Sequence, residues 1–234
     1  MSLPKLNVPE YDLELPSTKE KITYRPFLVK EEKILLLAME EDNDKSMATA
    51  LKQIVGNCTT GVSNIDTLPL FDLEYMFLRI RAKSVGEIAE LKLLCEDDGE
   101  TYADVKIPLE EIEVSFTDGH TNQIKLNDDV MVEMRYPTFE MLGIAPTDMT
   151  VDKTFELIGA CVERIYEGET VHERADFNDK ELSAFLDSLT SEQFKNVQGF
   201  FETMPKLKYE VKFKNPKTKK NNKVTLEGLQ SFFA

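Results

Sequence analysis

The residues best placed to do chemistry stand at a bend. In LKLLCEDDGETYADVKI, residues 91–107, an alternating run enters Cys95, an acidic turn with Gly99 follows, and a second alternating run leaves. A strand, a tight turn and a strand with cysteine at the bend is how a zinc knuckle is built, and a structural zinc site needs four converging ligands. A knuckle presents two cysteines about two residues apart, whereas the position three on from Cys95 is Asp98. Glu96, Asp97 and Asp98 could add oxygens, although three adjacent carboxylates are also the mark of a solvated turn. The second knuckle would have to be the late hairpin YEVKFKNPKTKKNNKVTL. Between Lys212 and Leu226 it holds no Cys, no His and no acid, only five lysines. A cationic loop repels a dication, so the reading is a shape without an ion: no metal ligands and no cofactor.

Nucleophilic catalysis by cysteine needs a histidine to activate it, and the chain has only His120 and His172. His120 falls in an expected hairpin turn beside Asp118 and Gly119, and His172 in a polar connector between EGETV and ERADF. Cys58 and Cys161 fall on a predicted helix end and helix face, where thiols pack as small apolar groups. No serine elbow, phosphate loop or glycine-rich dinucleotide turn occurs. Carboxylates are abundant, but none sits in an apolar sequence setting that would raise its pKa for general-acid work. The expectation is a protein that is not an enzyme and has no catalytic residues.

The elements around these residues follow from periodicity. VPEYDLEL and KITYRPFLV alternate around the turn PSTKEK, which predicts a β-hairpin over residues 8–28. KEEKILLLAMEED is a helical apolar run. DKSMATALKQIVGNC places Met47, Leu51, Ile54 and Val55 on one face with Gly56 near the stop. LPLFDLEYMFLRIRAKS predicts a buried helix with Pro69 in its first turn. From residue 86 the texture becomes short strands separated by turns, with Asp-Gly hairpin signals at 98–99 and 118–119. TVDKTFELIGACVERIYEG predicts a helix carrying Ile158, Cys161, Val162 and Ile165 at helical spacing. NDKELSAFLDSL starts at Asn178 as N-cap, and TSEQFKNVQGFFETMP pairs Thr190 with Gln193 as a capping box. A strand, a basic turn, a short strand and a final aromatic helix complete the chain. Leu35, Leu36, Leu70, Leu73, Phe77, Ile80, Ile158 and Val162 are the expected core.

The fold class expected is α+β: a helical body with an N-terminal β-hairpin and an antiparallel β-insert resembling a degenerate, metal-free zinc ribbon. It is read as one unit over 1–234, with a hairpin and helices over 1–85, a β-rich insert over 86–136, and helices with a late hairpin and terminal helix over 137–234. No linker rich in Gly, Ser or Pro and no internal repeat divides it. With 41% apolar and 30% charged residues and 14 Phe the chain is globular. A net charge of −15 argues against nucleic acid and against an anionic membrane surface as partners. No stretch is apolar enough to span a membrane, and the start lacks the pattern of a secretory signal. Three scattered cysteines give no disulfide framework and fit a reducing cytosol.

Without a catalytic constellation, function falls to surfaces. The run KFKNPKTKKNNK, with Lys214, Lys217, Lys219, Lys220 and Lys223, is the one basic patch in an acidic chain. It is either a solvated hairpin loop or a positive finger that docks on an acidic partner or on the chain's own acidic body. Phe232 and Phe233 end a segment too short to fold alone, which either tucks into the core or docks as a tail.

Two segments, YRPFLVKEEKILL near the start and RAKSVGE ahead of the first knuckle, together with the two knuckle-like hairpins, resemble the baseplate hub and hub-assembly proteins of T-even-like contractile-tailed bacteriophages. The resemblance runs over most of the chain, and the C-terminal third follows it mainly in the order of elements. It implies a zinc ribbon in those members that carry Cys-x-x-Cys at both knuckles. Here only Cys95 remains, with Asp98 at the partner position and nothing at the late hairpin, so zinc does not carry over. It also implies a non-enzymatic role in building the central hub of the baseplate, as a structural subunit or an assembly chaperone. The partners implied are other baseplate hub or tail proteins. The setting implied is the host bacterial cytoplasm during assembly and the tail baseplate of the virion. The competing reading is a hub-associated hydrolase of the cell wall, which would need an acid in an apolar pocket.

Overall fold

A computed structural model describes residues 7–41, 44–139, 141 and 150–232. The chain opens with β1 (Tyr11–Glu14), β2 (Lys21–Tyr24), α1 (Val29–Glu41), α2 (Asp44–Cys58), β3 (Thr59–Thr60) and α3 (Leu70–Ser84). Then come β4 (Ile88–Leu94), β5 (Tyr102–Pro108), β6 (Glu113–Ser115), β7 (Gln123–Lys125) and β8 (Val130–Met134). The remainder is α4 (Val151–Ala160), β9 (Val162–Glu167), β10 (Thr170–Glu173), α5 (Asp179–Asp187), α6 (Ser191–Thr203), β11 (Lys206–Lys214) and β12 (Asn221–Glu227). The class is α+β. Contacts group the described residues into two compact units where the sequence reading expects one. The first takes residues up to Ile65, Phe71–Ser115 and the chain from Lys206; the second takes Asp66–Leu70 and Phe116–Pro205. The expected insert over 86–136 is divided between them, with β4 to β6 in the first and β7 and β8 in the second.

The first unit is organised around α3, whose sequence is apolar on nearly every side. Phe71, Leu73, Met76, Phe77, Leu78, Ile80 and Ala82 are all buried, as a helix apolar all round requires. Pro69 lies just before the helix rather than within its first turn. Two buried polar side chains of α3 tie in the chain around it. Asp72 accepts from the backbone N–H of Ser17 at 3.1 Å and from its hydroxyl. Arg79 donates to the carbonyls of Leu109, Glu110 and Ile112 at 3.2, 2.6 and 2.9 Å and pairs with Glu113 at 2.7 Å. A buried guanidinium is tolerated only when its donors are met in this way.

Three small antiparallel sheets belong to this unit: β1-β2-β3, β4-β5 and β12-β11-β6. Their hairpins share one turn. Lys19 N–H donates to Leu15 O at 2.9 Å, Gly99 N–H to Cys95 O at 2.9 Å, and Lys219 N–H to Asn215 O at 3.0 Å. The donor sits in the left-handed region each time, with φ of 62°, 68° and 62°. Only Gly99 is a glycine, so the two lysines carry the cost that L residues incur there. Asp118-Gly119 has turn geometry, Gly119 with φ of 78°, but it does not make a hairpin. β6 before it pairs with β11, and β7 after it pairs with β8.

The second unit is the sheet β10-β9-β8-β7 with α4, α5 and α6. Its core gathers Val132, Met134, Ile158, Cys161, Val162, Leu182, Leu186, Val197 and Phe200. Asn178 and Thr190 cap α5 and α6 in capping boxes with Glu181 and Gln193. The helix expected through residue 165 stops at Ala160, and Val162–Glu167 is strand β9. Val162 and Ile158 are buried as expected, but from different elements. Pairing with β8 supplies the partner that helical spacing concealed, with a register shift at Glu133 and Met134. At the end of the chain, Leu229–Phe232 form a 3-10 turn instead of an α-helix.

The core expectation fails at one residue. Leu73, Phe77 and Ile80 are buried and Leu35 and Leu70 half-buried, but Leu36 is 55% exposed. Ile34 to Met39 are six successive apolar residues. They wrap more than half of a helix and cannot all face inward.

Candidate functional site

The late hairpin is built by alternation. Along β11, Leu207 and Val211 point inward and Lys208, Lys212 and Lys214 outward. Along β12, Asn222 and Leu226 point inward and Lys223 outward. Lys214, Lys217, Lys219, Lys220 and Lys223 are all exposed. Lys223 pairs with Glu210 at 2.5 Å, and Lys219 Nζ donates to the carbonyl of Pro216 at 2.7 Å. Lys214, Lys217 and Lys220 have no ion-pair partner among the described residues, so the tip presents three ammonium groups to solvent.

That tip is held from below by the acidic turn of the β4-β5 hairpin. Asn215 is fully buried and donates through Nδ2 to Asp97 Oδ1 at 2.8 Å and to Asp98 Oδ2 at 3.0 Å. Its Oδ1 accepts from the N–H groups of Lys217 and Thr218 at 2.7 and 3.1 Å, fixing the turn itself. Thr218 Oγ1 donates to Asp97 Oδ2 at 2.5 Å, and Asn222 Nδ2 to Asp97 Oδ1 at 2.8 Å. Asp98 is further fixed by Thr101, which donates from its hydroxyl at 2.7 Å and from its N–H at 3.0 Å. Thr101 and Asn215 hold the Asp98 carboxyl far below the usual carboxylate range, and Thr218 and Asn215 lower that of Asp97. Both acids are therefore ionised at neutral pH, and the clasp is charge-assisted.

The two turns place Cys95, Asp98, Asn215 and Thr218 at equivalent positions, three apart in each. Cys95 is buried, and burial, with the neighbouring carboxylates, pushes its thiol up. A thiol so disposed is a poor ligand and a poor nucleophile. Among the described residues no group of three or more His, Cys, Asp and Glu side chains could hold a metal ion.

Of the two aromatic residues at the end, Phe232 is fully buried, and Phe233 lies outside the described residues. At the start of the same turn, three residues earlier, the Leu229 N–H donates to Glu74 Oε1 at 3.4 Å.

The segments that carry the resemblance meet in the first unit. Phe27 N–H donates to Ser84 Oγ at 2.9 Å. Glu31, buried in the first turn of α1, receives Arg25 at 3.1 Å, Lys30 at 3.2 Å and the N–H of Leu28 at 2.9 Å. Burial alone would raise the Glu31 carboxyl, but these donors together hold it below its ordinary value. From RAKSVGE, Lys83 bridges Glu87 and Glu110 at 2.7 and 2.5 Å. A family model described as T4 bacteriophage base plate protein matches residues 8–234. The chain belongs to that family. No curated protein and no solved structure matches it.

In this baseplate protein the residues expected to be chemically inert behave variously. Cys58 and Cys161 are buried, their thiols pushed up to about 11 and about 12 by burial. His120 closes the turn at Asp118-Gly119, its N–H donating to Thr117 O at 3.1 Å, but its ring is half-buried and stacks on Tyr136 with centroids 5.7 Å apart, its Nδ1 2.9 Å from Thr203 Oγ1. His172 lies on β10, 3.6 Å from Glu167, rather than in a connector. The expectation that no carboxyl sits in an apolar setting is corrected by Glu74 on α3. Burial pushes this carboxyl up to about 7, against a single hydrogen bond from Leu229. It serves the C-terminal turn and lines neither of the clefts described for the second unit. The larger of these, about 790 Å³, is lined by His120, Glu133, Arg135, Tyr136, Glu163 and Arg164 among others. Two of its acids are tied to its arginines, Arg164 to Glu133 at 3.4 Å and Arg135 to Glu163 at 3.6 Å, and a third, Asp66, also lines it.

The clasp is what sequence reasoning missed. The signal was present as two turn-forming strings, CEDDGET and NPKTKKN, rich in short acceptors and short donors respectively. Nothing local says that they meet.

Proposed function

We propose that this baseplate protein helps to build the central hub of the contractile tail through protein–protein contacts and without catalysis. It acts as a structural subunit or assembly chaperone in the host cytoplasm during assembly. The observation that carries the proposal is the basic tip at Lys214, Lys217 and Lys220: exposed, without ion-pair partners among the described residues, and fixed by a buried asparagine rather than left as a loose loop. A preorganised cationic tip on a chain of net charge −15 suits an acidic patch on another hub or tail protein. The turn pair reads as a degenerate zinc ribbon whose metal is replaced by hydrogen bonds between Asp97, Asp98, Asn215 and Thr218. This fits a scaffold role, in which the ribbon presents a surface.

The test is a variant with Lys214, Lys217 and Lys220 all changed to Ser. Its melting behaviour should match that of the native chain, because these side chains are exposed. Capture of baseplate proteins from infected cells should fall, and native capture should weaken steeply with added salt. Undiminished capture by the variant would overturn the assignment of the tip.

A further inference from the structure

Helix α1 turns an apolar face to solvent. Val29 is 79% exposed, Leu36 55%, Leu37 49% and Met39 57%, whereas Glu31 and Ala38 are buried on the opposite side. At about 100° per residue, Val29, Lys33, Leu36 and Glu40 fall in one stripe about 60° wide, flanked by Met39 and Leu37. Four large apolar side chains exposed on one short helix are more than the scattered single ones that a soluble surface ordinarily carries. The two charges within the stripe, Lys33 and Glu40, have no ion-pair partner among the described residues.

Their spacing identifies what covers the stripe. Lys33 and Glu40 lie two helical turns apart and are equidistant from the midpoint between Leu36 and Leu37. A two-fold axis through that midpoint, with a second α1 laid antiparallel, sets Leu36 against Leu37 of the other copy. The same operation sets Lys33 against Glu40 and Glu40 against Lys33. Two ion pairs then bracket an apolar centre, and the patch is its own complement, which is the requirement of an isologous interface. We infer that α1 is covered by α1 of a second copy of this chain, forming an antiparallel two-fold dimer. The inference rests on α1 and is independent of the lysine hairpin.

The experiment is sedimentation of the full chain across micromolar to submillimolar concentrations at physiological salt, where long-range repulsion between acidic chains is screened within about 8 Å. The expected result is a monomer–dimer equilibrium. Leu36→Glu, on the exposed side of the helix, should abolish it while leaving the melting curve in place. Lys33→Glu and Glu40→Lys should each weaken the dimer by about tenfold, because each sets like charges opposite one another. The double variant Lys33→Glu with Glu40→Lys restores the pairs in reversed order and should recover native dimerisation to within about threefold. A native chain that stays monomeric throughout, as it would if a different hub protein covered α1, overturns the inference. So does a double variant no better than the single ones.

Discussion

Asn215→Ala tests the clasp directly. The native side chain is fully buried and makes four hydrogen bonds: two donated to the carboxylates of Asp97 and Asp98, two accepted from the N–H groups of Lys217 and Thr218. Bonds of this kind contribute about 1 kcal/mol each when neutral and more when one partner is charged. Asp97 and Asp98 can regain water when the amide is removed, so the expected loss is about 3 kcal/mol rather than the full sum. For a chain of this size that lowers Tm by roughly 6–12 °C. Urea unfolding followed by circular dichroism measures it. Hydrogen exchange should show the loss centred on residues 215–220 and their partners at 97–101. Asn215→Asp provides the control on mechanism: it keeps the shape but sets a third carboxylate about 3 Å from two that are ionised, so it should cost more than alanine at pH 7. If both variants stay within about 0.5 kcal/mol of the native chain, the hydrogen-bonded clasp does not hold the tip and the reasoning is wrong.

Three further outcomes follow from the same structure. The Glu74 carboxyl, raised to about 7 in the folded chain from an ordinary 4.5, favours its protonated form on folding. Stability should therefore fall as pH rises from about 4.5 to 7 and then level, by about 2 kcal/mol for a half-buried group. Glu74→Gln should abolish that slope and be the more stable chain at pH 8, whereas an unchanged pH profile would refute the burial of this carboxyl. Phe77→Ala, at the centre of α3 with 3% exposure, should cost about 3–5 kcal/mol in urea unfolding; a cost below about 1 kcal/mol would remove α3 from the centre of the first unit. Elemental analysis of protein purified without added metal should find no stoichiometric zinc, and a chelator should leave its melting curve unmoved, whereas one zinc per chain would contradict the metal-free clasp.

Local chemistry made much of the fold legible. Asn178 with Glu181, and Thr190 with Gln193, announced the starts of α5 and α6, because a cap is satisfied within four residues. Alternation at Lys206–Lys214 and 88–94 announced strands for the same reason. Errors arose where the deciding partner is distant. VERIYEG continues the helical spacing of Ile158 and Cys161, and only its pairing with β8 makes it a strand. Gly119 was rightly read as a turn, but the conformation of a turn does not say which strands pair around it. Leu36 was misplaced because an apolar run on every side of a helix does not reveal which side the fold covers. The lysine tip was visible as composition. Its support by Asp97 was not, since the two are more than a hundred residues apart along the chain.

The role proposed for this member of the baseplate family is to join other baseplate proteins through the lysine tip. The most direct measurement is to carry a tagged copy through infection, isolate baseplate assembly intermediates and finished particles, and identify by cross-linking which residues touch which proteins. The chain should be present in hub-containing intermediates, with cross-links from Lys214, Lys217 or Lys220 to acidic segments of a hub or tail protein. Intermediates that lack the chain, or that contain it with those lysines unlinked while links concentrate elsewhere on its surface, would contradict it.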